Sequence, residues 1–269
     1  MKNNNKGAAL SARFVRIADI DVHAIRQMYQ VFAQYYENTS WDIFLADLSK
    51  KTGAIILRNA AGRVVGFSTL MTCAVDIGGR CVHGVFSGDT IIERAYWGTR
   101  ALQREFFKFM IAEKFRHPRE PIYWFLISKG FKTYLLLANN LFTFYPRHDR
   151  EEPYLADIVD AYCQQMFPAY YQRDRRILDF GHDYQPLRTD VADITERMRE
   201  ENPAIRFFED RNPEWRRGTE LPCVGEIGWS DLARFTLRFA RKPVSKGRLD
   251  AERQPDAAPV VIKLRSVRG

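Results

Sequence analysis

The chain has 269 residues, 46% of them hydrophobic, with a formal net charge of +8. That is apolar material for one large domain or one and a half, and no apolar run approaches the ~20 residues needed to cross a bilayer. Eight Lys/Arg against three Asp/Glu lie between Arg241 and Gly269, so most of the net charge sits in a proline-containing tail. The remainder is too mildly basic to read as a nucleic-acid binder.

Cys73, Cys81, Cys163 and Cys223 lack CxxC or His-rich spacing, which argues for reduced core thiols and against a disulfide frame or zinc site. Met1 to Lys6 is polar, with no hydrophobic signal segment behind it, so a cytoplasmic protein is expected. The expected organisation is a polar leader over 1–12, a core over 13–150, an extension over 151–242 packed on that core, and a basic tail over 243–269.

In chain order, Asp19 or Asp21 caps a helix with Ile25, Met28, Tyr29, Phe32 and Tyr36 on one face. Ser40 caps a second, with Trp41, Phe44, Leu45 and Leu48 inward. From Gly53 the period changes to that of strands: Ala54 to Arg58, a turn at Asn59 to Gly62, and Val64 to Asp76 form a hairpin. Ile77-Gly78-Gly79 turns the chain into a third strand, Val82 to Ile92. Leu102, Phe106, Phe109 and Met110 then recur at helical spacing, so a helix is expected from Thr99 to His117. Pro121 to Ser128 is apolar on both faces, as a central strand is, and Phe131 to Tyr145 reads as a helix stopped by Pro146. Farther on, a helix over Pro153 to Phe167, a strand over Arg176 to Phe180, and a charged helix over Asp190 to Glu201 capped by Thr189 or Asp190 are expected. They are followed by a turn at Asn212-Pro213, an apolar segment from Leu221 to Ile227 and a last helix from Ser230 to Lys242.

Between the third strand and its following helix lies Ala95-Tyr96-Trp97-Gly98-Thr99-Arg100. A glycine turn that opens a helix presents unpaired N–H groups and the positive end of a helix dipole, a ready anion site. Strand, turn and helix together point to a ligand that carries phosphate.

The element order, together with Gly88-Asp-Thr-Ile-Ile-Glu-Arg-Ala-Tyr-Trp-Gly98, resembles the GNAT superfamily of N-acyltransferases over about Arg13 to Arg147. The resemblance implies a mixed α/β fold with a mostly antiparallel central sheet flanked by helices, here with a C-terminal α+β extension. The family's phosphate loop has the form Tyr-Arg-Gly-x-Gly-x-Gly/Ala. Tyr96 and Gly98 match it, Trp97 replaces the arginine, Arg100 the second glycine, and Leu102 the last small residue. A side chain at Arg100 restricts how near the backbone comes to a diphosphate, although its guanidinium supplies charge instead. Acyl-CoA and a phosphopantetheine-linked acyl carrier protein therefore both stand as donors.

What the resemblance implies for chemistry is transfer of an acyl group from a pantetheine thioester to an amine of a small metabolite or amino acid. The strands over Val82 to Ile92 and Pro121 to Ser128 are expected to splay, so that a pantetheine arm adds between them. An N–H of Ile91 or Ile92 would polarise the thioester carbonyl. Trp97, Gly98, Thr99, Arg100, Ala101 and Arg104 would hold the phosphates, within a basic stripe of Arg94, Arg100, Arg104, Lys108, Arg116 and Arg119 that also reads as a solvated helix face. His83 or Glu93 would be the base, or His83 a core histidine and Glu93 a solvated charge. Asp89 would orient the acceptor or cap a turn. Tyr134 would be the acid, with Ser128 and Tyr145 behind it, or else an aromatic core residue beside Phe131 and Leu135. Leu137, Leu141 and Phe144 read as an acyl tunnel or a core helix face. No metal is implied. The alternative activity is a catalytically inactive GNAT-like module that binds a carrier protein or acyl ligand.

Overall fold

A computed structural model describes residues 10–36, 39–181 and 194–241. The tail expected from 243, most of the leader and the expected helix start at Asp190 lie outside these residues.

The chain opens with a strand that was not expected, β1 (Ser11–Arg16), followed by α1 (Val22–Ala33) and α2 (Trp41–Leu48). Both helices start where the sequence places their caps: Asp21 accepts from the Ala24 N–H at 2.7 Å and Ser40 from the Ile43 N–H at 3.2 Å. Then come β2 (Gly53–Arg58), β3 (Val64–Ile77) and β4 (Arg80–Ile92). The turn between β2 and β3 is set by Asn59, whose side-chain oxygen accepts from the N–H groups of Ala61 and Arg63. After α3 (Ala101–Arg116), β5 (Ile122–Ser128) and α4 (Phe131–Ala138) the chain makes a two-residue strand, β6 (Phe144–Tyr145).

The rest comprises α5 (Pro153–Met166), a small hairpin of β7 (Tyr171–Gln172) and β8 (Ile177–Leu178), α6 (Glu196–Glu201), α7 (Pro203–Arg211), β9 (Leu221–Ile227) and α8 (Trp229–Arg241). Three expectations need correction. The helix read through to Tyr145 stops at Ala138, where Asn139 and Asn140 end it and Phe144–Tyr145 pair with β9 instead. α7 was not expected, although Asn202 caps it from the Ala204 N–H and Pro203 stands at its first turn. And α6 starts at Glu196, capped by Thr195, so Ile194 and Thr195, expected within the helix, are not helical; Thr189 and Asp190 lie outside the described residues.

The central sheet has seven strands in the order β1-β2-β3-β4-β5-β9-β6, antiparallel except for β4 with β5. The mixed α/β, mostly antiparallel architecture is the one expected. β9 comes from the C-terminal extension and lies inside the sheet, paired with β5 along its whole length, so the residues after Pro146 complete the sheet as well as pack on it. α1 and α2 cover one face through Met28, Phe32, Phe44 and Leu48, against Ala54, Ile56, Phe67 and Ile91. β5 is buried on both sides because its side chains alternate: Trp124 meets Phe106 of α3 at 4.9 Å, and Phe125 stacks on Tyr162 of α5 at 4.7 Å. The Tyr162 hydroxyl, fully buried, reaches the carbonyls of Leu126 and Cys223 at 3.1 and 3.2 Å, tying α5 to β5 and β9. α8 closes over α3 through Phe235 against Phe107.

Candidate active site

β4 and β5 lie side by side over only three residues each: Gly84 faces Tyr123, Val85 faces Trp124 and Phe86 faces Phe125. Beyond that point β4 stays with β3, with Ile91 opposite Phe67 and Ile92 opposite Gly66, while β5 stays with β9, with Ser128 opposite Leu221. The sheet is forked. The cause is local: between the pairs Leu70–Ser87 and Ser68–Thr90, Gly88 and Asp89 of β4 oppose the single residue Thr69 of β3. An extra residue in one strand bends it and re-aims its side chains. Gly88 is required there, since a Cβ would overlap Thr69 Oγ1 and lie 3.3 Å from Lys51 Cε.

The limbs of the fork carry backbone groups that no strand satisfies, and some are met by side chains. The Trp97 indole N–H donates to the Ile92 carbonyl at 2.8 Å; between side chains, Trp124 Nε1 donates to the Ser87 hydroxyl at 2.8 Å. A buried polar group must find such a partner or lose its hydration uncompensated.

Ionisable side chains collect around the bulge. Lys51 and Asp47 form an ion pair at 3.1 Å with side chains 0% and 4% exposed, and Asp89 is buried on β4 itself. At the tip of the β5 limb Lys129 Nζ stands 3.5 Å from Glu220 Oε1, both side chains almost wholly buried. This distance suits an ion pair but is too long for a good hydrogen bond. Both Glu220 oxygens, and Thr69 Oγ1, are buried without a hydrogen-bond partner among the described residues. Burial pushes the Glu220 carboxyl up to about 7, with Lys129 opposing the shift. The Tyr36 phenol, at the end of α1, is held well above its ordinary value by burial and then by the charges of Asp89 and Glu220. Asp89 belongs to the β4 limb, and Glu220 stands across from the end of the β5 limb. Three acids and two lysines, each costly to desolvate, lie around the place where the sheet opens; the raised Glu220 and Tyr36 among them make this the candidate functional site.

The phosphate-loop candidates lie next to the β4 limb. A 3-10 turn, Arg94–Tyr96, leads to Gly98 at φ +82° and into α3, with Arg100 at its N-cap position. Thr99 Oγ1 accepts from the Ala101 N–H at 3.2 Å. Arg100 and Arg104 are exposed, and the Arg94 guanidinium lies 5.3 Å from the Trp97 ring. Asp89, Ile91, Ile92 and this loop are thus brought together at the fork.

The other residues singled out from the sequence are not. His83 lies on the far side of the paired segment, eight residues from Ile91, which at ~3.3 Å per residue is about 26 Å. Its ring stacks on His117 at 3.8 Å and its Nε2 is 3.6 Å from Cys81 Sγ. Glu93 is gripped by Arg63 through two contacts of 2.5 and 2.7 Å. Tyr134 is wholly buried among Phe144, Phe207 and Phe208, its hydroxyl donating to the Pro146 carbonyl at 3.0 Å, and burial holds its proton firmly. These positions favour the packing alternative for Tyr134 and a structural one for His83 and Glu93. Asp89 sits in a strand bulge and not in a turn.

Glu220, Lys129 and Tyr36 had no place among the sequence candidates. Lys129 follows the apolar β5 and Glu220 precedes the apolar β9; only the pairing of those strands makes the two charges neighbours. Among the described residues no helix is long and apolar enough to cross a membrane, and no cluster of His, Cys, Asp and Glu is arranged to hold a metal.

No family model and no curated protein matches the chain. Solved structures similar to it include a conserved protein from Enterococcus faecalis described as a probable N-acyltransferase, at 14% identity and TM-score 0.37 over 51% of this chain and 33% of that one. The GNAT family N-acetyltransferase YhbS from Escherichia coli, in complex with CoA, is 16% identical at TM-score 0.32, over 43% of this chain and 63% of that one. A GNAT family acetyltransferase from Brucella melitensis, in complex with acetyl-CoA, is 13% identical at TM-score 0.29, over 42% and 74%. The chain thus spans a third of the first and less than two thirds of the second. Two of these three neighbours are described as GNAT-family proteins; at these identities and TM-scores the likenesses carry no argument about the chemistry of this chain.

Proposed function

We propose that this chain transfers an acyl group from a pantetheine thioester to an amine of a small metabolite or amino acid. The observation that carries the reading is the parting of β4 from β5 at the Gly88-Asp89 bulge, beside the buried pair Lys129 and Glu220. In this reading the pantetheine arm lies between the limbs as an added strand, its amides meeting the main chain of 87–92 and 126–128. The Ile91 or Ile92 N–H polarises the thioester carbonyl, a role for main chain that side-chain substitution leaves unmarked. Glu220, titrating near neutrality, takes the proton from the incoming ammonium, and Asp89 holds that ammonium by charge. Gly98, Thr99, Ala101 and the first turn of α3 receive phosphate, with Arg100 and Arg104 supplying the charge that the replaced glycine's close approach would have given. Trp97 leaves the Ile92 carbonyl as the arm enters.

Acyl-CoA and an acylated carrier protein both fit this scheme; one phosphodiester makes the smaller demand on a loop with Arg100 in it. The test is thiol release from a panel of acyl-CoA and acyl-carrier donors with amine acceptors, comparing the parent with Glu220→Gln. Loss of roughly a hundredfold or more in turnover is expected; unchanged turnover removes Glu220 from the chemistry.

One observation favours the non-catalytic alternative: Trp97 already occupies the Ile92 carbonyl. A module that only binds an acyl ligand would show a thermal shift with donor and no thiol release under any acceptor.

A further inference from the structure

Lys129 is an amine of the chain itself, held at the fork beside the group assigned to take an ammonium proton. It follows the limb of β5 that has parted from β4, directly after Ser128, and Glu220 stands across from it one position before Leu221. On the other limb Asp89 acts with Glu220 on the same phenol, Tyr36. The side chain is 5% exposed, so a reagent arriving from bulk water meets it after the exposed Lys50 and Lys108. In the acyl-transfer reading, a thioester carried between the limbs is delivered to this end of β5.

We propose that Lys129 is acylated by the donor bound in the fork, so that the protein modifies its own acceptor end. The inference rests on the acyl-transfer reading above. Glu220 takes a proton from the Lys129 ammonium, and the neutral Nζ attacks the thioester carbonyl carbon. The C–N bond forms, the C–S bond breaks, and the thiolate leaves to take up the proton held on Glu220; the nitrogen's second proton passes to solvent, and nothing is oxidised or reduced. The product is a neutral amide. Glu220 then lacks its counter-charge in a buried site and is driven further toward its protonated form, so the modified chain has lost its base and turns over an external amine more slowly.

The full chain is incubated with acetyl-CoA at neutral pH and followed by intact mass and peptide mapping, beside a sample treated with a small non-pantetheine acetylating reagent. The expected result is one acetyl group, at Lys129 ahead of Lys50 and Lys108, with the order reversed for the small reagent. Glu220→Gln slows Lys129 labelling by roughly a hundredfold. Labelling of Lys129 no faster than of Lys108, or at an unchanged rate in Glu220→Gln, overturns the proposal. Because the decisive comparison is made on the parent, a poorly folding variant does not decide it. Thiol release to an added amine with Lys129 unmodified overturns this inference and leaves acyl transfer standing. Neither thiol release nor a thermal shift with acetyl-CoA removes both.

Discussion

The buried pair at the fork sets a pH dependence of stability with a definite sign. The Glu220 carboxyl lies at about 7 in the folded chain against 4.5 when free of its surroundings. Between those values the folded state holds a proton that the unfolded state has released, so unfolding free energy falls as pH rises. The contribution is fully present below the unfolded value and gone above about 7, a loss of about 3 kcal/mol across the window. Removing the carboxylate alone would also disturb Lys129, the buried cation across from it, at a cost of its own. The informative variant is therefore Lys129→Met with Glu220→Gln, which removes both titrating groups and keeps similar volume. Urea unfolding of the parent and the double variant is measured at steps from pH 4.5 to 8. The parent is expected to lose about 3 kcal/mol relative to the variant over that range. A flat difference would mean an ordinary carboxylate and remove the reason to make Glu220 the base. A difference that grows in the parent's favour would mean a carboxylate depressed by its lysine, the opposite of the proposed state.

Gly88→Ala forces a Cβ onto Thr69 Oγ1 and toward Lys51; it is expected to cost about 2 kcal/mol in chemical denaturation and to weaken donor binding by calorimetry, and a silent substitution would deny that the bulge is tight. Tyr134→Phe deletes the hydroxyl bound to the Pro146 carbonyl, so stability should fall by about 1 kcal/mol while turnover in a thiol-release assay stays within about twofold of the parent; a collapse in turnover would restore Tyr134 as the acid. His83→Ala, at the opposite end of β4 from Ile91, should leave the same assay unchanged, and a large loss there would relocate the chemistry. Tyr162→Phe removes a buried hydroxyl shared by two carbonyls, with an expected loss of about 1 kcal/mol in urea unfolding; no loss would show that α5 is held by packing alone.

Wherever a local signal decided the structure, the sequence was readable. Asp21 and Ser40 cap the helices they were expected to cap, Asn59 makes its turn, and the unbroken apolar run of β5 is a strand covered on both faces. Strand β1 escaped because its six residues include two arginines and lie on the sheet edge, where one partner, β2, gives it order. Phe144 and Tyr145 continue a helical spacing of apolar residues, yet Asn139 stops the helix and β9, eighty residues on, claims them. α7 carries a local signal in Asn202-Pro203, a cap followed by a first-turn proline.

The site divides in the same way. The loop from Trp97 to Ala101 was legible as a candidate because a glycine turn before a helix has a local meaning, whereas Ile91 and Ile92 entered through the resemblance alone. Glu220 and Lys129 were invisible because what singles them out is desolvation, a property of strands paired across ninety residues of chain. The side chains that the resemblance offered as base and acid, His83, Glu93 and Tyr134, lie respectively beyond the paired segment, in an ion pair with Arg63 and in the core.

The central claim is that the gap between the two limbs accepts a pantetheine arm. A crystal structure of the full chain with a non-hydrolysable acyl-CoA analogue tests it directly. The arm is expected between 87–92 and 126–128, its carbonyl facing the Ile91 or Ile92 N–H, with Trp97 displaced from the Ile92 carbonyl. An analogue bound elsewhere with the Trp97 hydrogen bond intact would contradict the account.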